Sequence, residues 1–179
     1  MAEDFQILER DSNFFALKVA QIKRNVLSVK PLNEILTSLK RAEVDLGYYV
    51  TDEILPEDQI HSLYQINLVE KRIVLTKGLN TESKIHPNIS EYIESDPGSD
   101  LIDLALISGQ QTRFNTDPHF APDLYKKLFS TWIEKSVRGE MASHVLVYKT
   151  KERIVGFVSL RTDKEKPQVV LLAVHPDFE

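Results

Sequence analysis

Three short apolar runs stand close together late in this 179-residue chain: His144 to Lys149, Ile154 to Leu160, and Gln168 to Val174. Each has strand length and is rich in β-branched residues. Lys151-Glu152 lies between the first two, and a gap that short forces an antiparallel hairpin. A charged turn around Asp163 to Lys166 returns the third run. Such a sheet has to bury one face, and the segment before it supplies the cover. Over 122–137, Tyr125, Leu128, Phe129, Trp132, Ile133 and Val137 form one apolar stripe at helical spacing. Pro122 suits the first turn of that helix, and Gly139 suits a left-handed residue just past its end. A shorter helix is expected over 99–108, with Ser99 as cap and Asp100 and Asp103 at its positive end. Gly109 to Thr112 reads as a loop that runs on into Arg113 and Phe114. Helix, helix, strand, strand, strand is a meander packed on helices.

The first part of the chain has a different pattern. Leu17 to Val29 reads as one or two strands. Pro31 can open a helix that places Leu32, Ile35, Leu36 and Leu39 on one face. Tyr48 to Val50 suggests a short strand after Gly47. A second helix is expected from Pro56, with Ile60, Leu63 and Tyr64 inward. Val69, Lys71, Ile73 and Leu75 alternate as a strand does. Residues 1–78 therefore read as a small α/β unit, and 79–179 as a second domain. Pro87 and Pro97-Gly98 punctuate its start, and Ile85 or Ile89 to Ile93 can supply one further strand. The fold class expected overall is α/β, with a mixed, largely antiparallel sheet flanked by helices in the second domain. Strand 168–174 is apolar on both faces, as a central strand is. Only His175 to Glu179 follow it, so its outer edge is a candidate for pairing with a second copy of the chain.

Composition narrows the chemistry. There is no cysteine, which removes disulfides, thiolate catalysis and Cys-ligated metals. His61, His86, His119, His144 and His175 make no HxH, HxxxH or HExxH pattern, so no metal site is expected and each histidine reads as structural. No phosphate-binding glycine loop, dinucleotide fingerprint or GxSxG elbow occurs. Ser159, alone within a strand, is a weak nucleophile candidate, and the reading preferred is that it faces the interior or a ligand cleft. Gly156, also within a strand, would permit close approach of a neighbour. The net charge is −5, and residues 79–124 hold eight acids and two bases, a local −6. With no basic stripe, nucleic acid is not an expected partner. Acids and Arg10 interrupt the first twenty residues, so no signal peptide is read. No apolar run reaches the roughly 20 residues of a membrane span, and a cytoplasmic location is expected. Arg113 could offer an anionic ligand a planar fork of donors. Phe114 could stack on a sugar or base, or simply anchor its loop. Residue type alone favours surface charge for Arg113 and core packing for Trp132.

The strand pair His144–Lys149 and Ile154–Arg161 with Gly156, the strand Val169–Val174, and its ending Leu172-Ala173-Val174-His175-Pro176-Asp177-Phe178 resemble the GNAT superfamily of N-acetyltransferases. Asn13-Phe14-Phe15, Ser108 to Phe114, Trp132-Ile133-Glu134 and Val137-Arg138-Gly139 are similar to the bacterial dTDP-fucosamine (dTDP-4-amino-4,6-dideoxygalactose) acetyltransferases. The resemblance implies a small N-terminal α/β unit followed by the N-terminal half of the GNAT fold. It implies acetyl-CoA as co-substrate and the amine of a nucleotide-linked amino sugar as acceptor, attacking the thioester directly. Leu172, Ala173 and Val174 would then supply backbone contacts to the cofactor, and Arg113, Phe114 and Trp132 would lie near the acceptor. The family's pyrophosphate loop and catalytic tyrosine follow this strand. The sequence ends at Glu179, where that loop is expected, so no catalytic residue is assigned. Activity of these 179 residues by themselves is not expected. The alternative expectation is a non-catalytic half-domain, dimeric through strand 168–174.

Overall fold

The computed structural model describes residues 4–23, 32–52, 66–78, 84–121, 123–151, 153–163 and 166–178. It is a mixed α/β protein with two sheets. The chain divides into two compact units, 1–67 and 68–179. The expectations for Pro31, for a helix from Pro56 through Ile60, Leu63 and Tyr64, and for His61, Pro122 and Glu152 lie outside the described residues.

In the first unit, β1 (Phe5–Ile7) pairs antiparallel with β2 (Val19–Ile22), and β2 pairs parallel with β3 (Leu46–Tyr48). α1 (Glu9–Phe15) joins β1 to β2 and ends on Ala16 in the left-handed region, φ 53°. Ser12 fastens this turn. Its hydroxyl donates to the Leu8 carbonyl at 2.9 Å and accepts from the Val19 N–H at 2.9 Å. α2 (Leu32–Arg41) crosses between the parallel strands and buries Ile35, Leu36 and Leu39 against Ala20, Ile22 and Val44. The apolar spacing read from the sequence thus becomes the core of the unit. β3 begins earlier than Tyr48 because Leu46 and Gly47 take up the register opposite Val19 and Ala20.

The second unit holds a four-stranded antiparallel sheet of order β4-β5-β6-β7: β4 (Ile89–Glu91), β5 (His144–Thr150), β6 (Arg153–Arg161) and β7 (Gln168–Val174). Lys151 turns the β5–β6 hairpin at φ 56°. The rows Val145–Ser159–Leu171 and Val147–Phe157–Ala173 run across the sheet and are buried. α3 (Ser99–Gly109) packs on β6 and β7, and α5 (Leu124–Val137) packs on α3 and β5. Leu101, Leu104 and Ala105 of α3 and Leu128, Phe129 and Ile133 of α5 are buried in this helical layer. Asp100 ties α3 to the sheet, its Oδ2 accepting the Ile154 N–H at 3.1 Å. Gly139 takes the left-handed conformation past α5, φ 77°.

Several expectations change. Among the described residues β7 is the outer strand of its sheet, with the open edge expected of it; although it is apolar on both faces, only Leu171 and Ala173 are buried. Residues 69–75 form no strand. Leu68, Ile73, Val74 and Leu75 are exposed, and an alternating pattern without a ladder partner has no hydrogen bonds to hold it extended. Ser99 is the first residue of α3 rather than its cap. Gly98 takes the cap position, and its N–H donates to the Tyr92 hydroxyl at 2.9 Å. Arg113 and Phe114 are not in a loop but open α4 (Arg113–Thr116), a single turn.

Candidate functional site

Two places in the second unit bring chemistry-bearing groups together. The first is the connection from α3 to α5. α4 and the residues after it set Phe114 and Phe120 against each other with ring centroids 5.9 Å apart. Trp132 meets Phe114 edge-on at 6.0 Å and Phe129 at 4.9 Å. Arg113 places its guanidinium 4.5 Å from the Phe114 ring centroid. Arg113, Phe114 and Trp132, singled out from sequence, are therefore one cluster. The cluster also includes a partner that sequence reasoning missed. Arg113 Nη1 donates to Glu70 Oε2 at 2.9 Å, and Arg72 approaches the same oxygen at 3.4 Å. An anion reaching Arg113 from this side competes with Glu70. The pair spans 43 positions and lies on a segment with no regular structure, so no local pattern announces it.

Gly109 makes this packing possible. A Cβ there would lie 2.6, 2.8 and 2.9 Å from three carbons of the Phe129 ring. Gly156 has no such role, because a Cβ there would make only ordinary contacts, the nearest 3.5 Å from the Ala173 carbonyl oxygen.

The second place is the outer edge of β7. The His175 N–H donates to the Val155 carbonyl at 2.8 Å. Alternation along an antiparallel ladder then turns the backbone of Ala173 toward β6 and that of Leu172 and Val174 toward the open edge. The three residues expected to contact a cofactor thus divide two and one. Leu172 and Val174 also point their side chains outward, 60% and 40% exposed. No charged residue or proline interrupts 169–174. Val170 is the extra residue where the β6–β7 register shifts. There the Leu171 N–H donates to Ser159 Oγ at 2.9 Å. Ser159 is wholly buried, so its hydroxyl serves the bulge and is closed to a substrate.

The described histidines are each engaged. His144 Nδ1 lies 2.8 Å from Glu91 Oε1 across β4 and β5. His86 stacks on Tyr148, and His175 Nδ1 accepts the Asp177 N–H at 3.3 Å. His119 Nδ1 lies 2.7 Å from Asp117 Oδ1, whose carboxylate is buried. Among the described residues no cluster of three or more His, Cys, Asp or Glu is placed to hold a metal, and no helix is long and apolar enough to cross a membrane. Two surface cations titrate above their ordinary range: Lys126, through its hydrogen bond to Asp123, and Arg138, through its hydrogen bond to Asp96. Both are exposed pairs that add little to stability. A shallow concavity in the first unit is lined by Asn33, Glu34, Thr37, Ser38 and Arg41, all on α2, and brings no convergent groups together.

No family model matches the sequence. The chain is similar to Lipase 1 of Yarrowia lipolytica, 29% identical over 94 residues. That alignment takes in 52% of this chain and 19% of the lipase, so the chain spans about a fifth of the length of this curated relative. At this identity and coverage the similarity does not assign a family.

Proposed function

We propose that the chain belongs to an acetyl-CoA-dependent N-acetyltransferase lineage acting on the amine of a nucleotide-linked amino sugar. The observation that carries the reading is the open edge of β7. Leu172 and Val174 aim backbone groups outward from the same edge, about 6.8 Å apart along the strand. The pantetheine arm of acetyl-CoA carries two amides in an extended chain, and such a chain pairs with a strand edge as a further strand would. Acetyl-CoA, when bound, supplies the activated acyl thioester. The part left to these residues is to bind and orient it, which is where most of the gain in a direct transfer lies. The Arg113, Phe114 and Trp132 cluster would hold the acceptor, with the aromatic rings against the sugar and Arg113 exchanging Glu70 for a ligand anion. This arrangement would form the N-terminal half of a GNAT fold.

The same edge supports a second reading. Val169, Leu172 and Val174 are exposed on a strand without the charges or prolines that usually protect an edge. A second copy could pair there antiparallel across a two-fold axis. The likeness to Lipase 1 covers a fifth of that protein and carries no reading of its own.

Calorimetry with acetyl-CoA separates the readings. The enzyme reading predicts binding by the parent and by Leu172→Lys, and loss in Leu172→Pro. Proline removes the outward N–H and leaves the ladder to β6 intact. Absence of binding, together with a dimer that Leu172→Lys dissociates, would establish the second reading instead.

A further inference from the structure

The segment after α4 holds a pair that neither reading has used. The Asp117 side chain is 4% exposed, yet it carries a carboxylate. Burying a charge is costly without partners. Two nitrogens of one residue meet the same oxygen: the His119 N–H donates to it at 3.0 Å, and His119 Nδ1 lies 2.7 Å from it. Against a carboxylate, which only accepts, Nδ1 is the nitrogen that would carry the hydrogen. In the neutral ring this leaves the lone pair on Nε2. The imidazole is half exposed, while its Nδ1 side is held by a buried group. Phe120, the next residue, packs on Phe114, and Arg113 lies over that same ring. The oriented imidazole is therefore fixed to the segment that carries the proposed acceptor cluster. Held rings and second partners of this kind are what a positioned base requires.

We propose that His119 is a general base for a primary amine substrate and that Asp117 is its positioning residue; this rests on the amine-acetylation reading. A primary alkylamine is protonated at neutral pH and has no lone pair with which to attack an acyl group. The step is a proton transfer. One N–H bond of the substrate ammonium breaks, the proton passes to Nε2, and the nitrogen keeps the electron pair. The imidazolium that results is stabilised by the Asp117 carboxylate.

The test is nitrogen NMR of His119 in the full chain, with a dTDP-linked 4-amino-4,6-dideoxygalactose as probe. In the parent the neutral ring is expected mainly as the Nδ1–H tautomer. In Asp117→Asn the amide can donate to Nδ1, and the tautomer ratio is expected to reverse. The ratio reports the Asp117–Nδ1 hydrogen bond, and the response of Nε2 to the amine reports the base. Adding the amino sugar should move the Nε2 resonance toward a protonated nitrogen in the parent, with the shift lost in Asp117→Asn. His119→Gln, which keeps a donor for Asp117, should bind the probe by calorimetry and keep the Trp132 fluorescence of the parent. An unreversed ratio, or an Nε2 resonance that ignores the probe, overturns the inference. If acetyl-CoA still binds in that case, the acetyltransferase reading survives without this base. If Nε2 responds but acetyl-CoA does not bind, the base stands and the acetyl-CoA reading falls.

Discussion

Replacing Gly109 by alanine tests the packing that positions the aromatic cluster of Phe114, Phe129 and Trp132. The added Cβ would stand 2.6 to 2.9 Å from three carbons of the Phe129 ring. Those atoms cannot swing aside as the end of a flexible chain would. Phe129 is 2% exposed, and Trp132 lies 4.9 Å away centroid to centroid. Forcing a methyl group into a packed core costs about 1–3 kcal/mol. Alanine gains back up to about 1 kcal/mol of helix propensity, less at a terminal position such as this. The net expectation is a loss of about 1.5 kcal/mol. Trp132 is the only tryptophan, so its fluorescence in urea follows the second unit alone. With a slope of about 1.5 kcal/mol per molar urea, the midpoint should fall by about 1 M. Gly156→Ala is the control, since its Cβ meets only ordinary contacts; its midpoint should stay near the parent's. A Gly109→Ala midpoint within about 0.2 M of the parent would refute the account of this helix contact.

Other substitutions probe separate joints. Ser159→Ala leaves the Leu171 N–H buried without its acceptor, and should cost about 1–3 kcal/mol in the same Trp132 assay. Ser12→Ala removes an acceptor from Val19 and a donor to Leu8; circular dichroism melting of the first unit should show a loss of about 1–2 kcal/mol. Ala173→Pro should prevent folding of the second unit, because the backbone of Ala173 faces β6, whereas Leu172→Pro should fold. Size-exclusion chromatography and Trp132 fluorescence distinguish the two.

The helical layer and the three late strands were legible because their signals are local. The stripe from Leu128 to Ile133 has one period, and Lys151-Glu152 leaves room for only one kind of turn. The open edge of β7 was legible from its place at the end of the strand run, but its composition alone pointed to a central strand. Its residues are apolar on both sides whether a neighbour lies beyond it or not, and strand order depends on pairings far apart in the chain. The run from Val69 to Leu75 alternates as strands do, but alternation does not create a partner. The grouping of Arg113, Phe114 and Trp132 could be suspected, since α5 begins soon after α4. The Glu70 contact could not, because it joins an irregular segment to a helix turn 43 positions away. Asp117-Pro118-His119 did carry a readable signal: an Asp two residues before a His can bond both its N–H and its ring.

The central claim is that the outer edge of β7 receives acetyl-CoA through the backbone of Leu172 and Val174. Amide-resolved hydrogen exchange tests it most directly. Without ligand, the Ala173 N–H should already be protected by β6, and those of Leu172 and Val174 should exchange fast. Saturating acetyl-CoA should slow Leu172 and Val174 and leave Ala173 unchanged. If Leu172 and Val174 are unaffected by acetyl-CoA, or become protected only as protein concentration rises, the edge does not bind the cofactor and the account is contradicted.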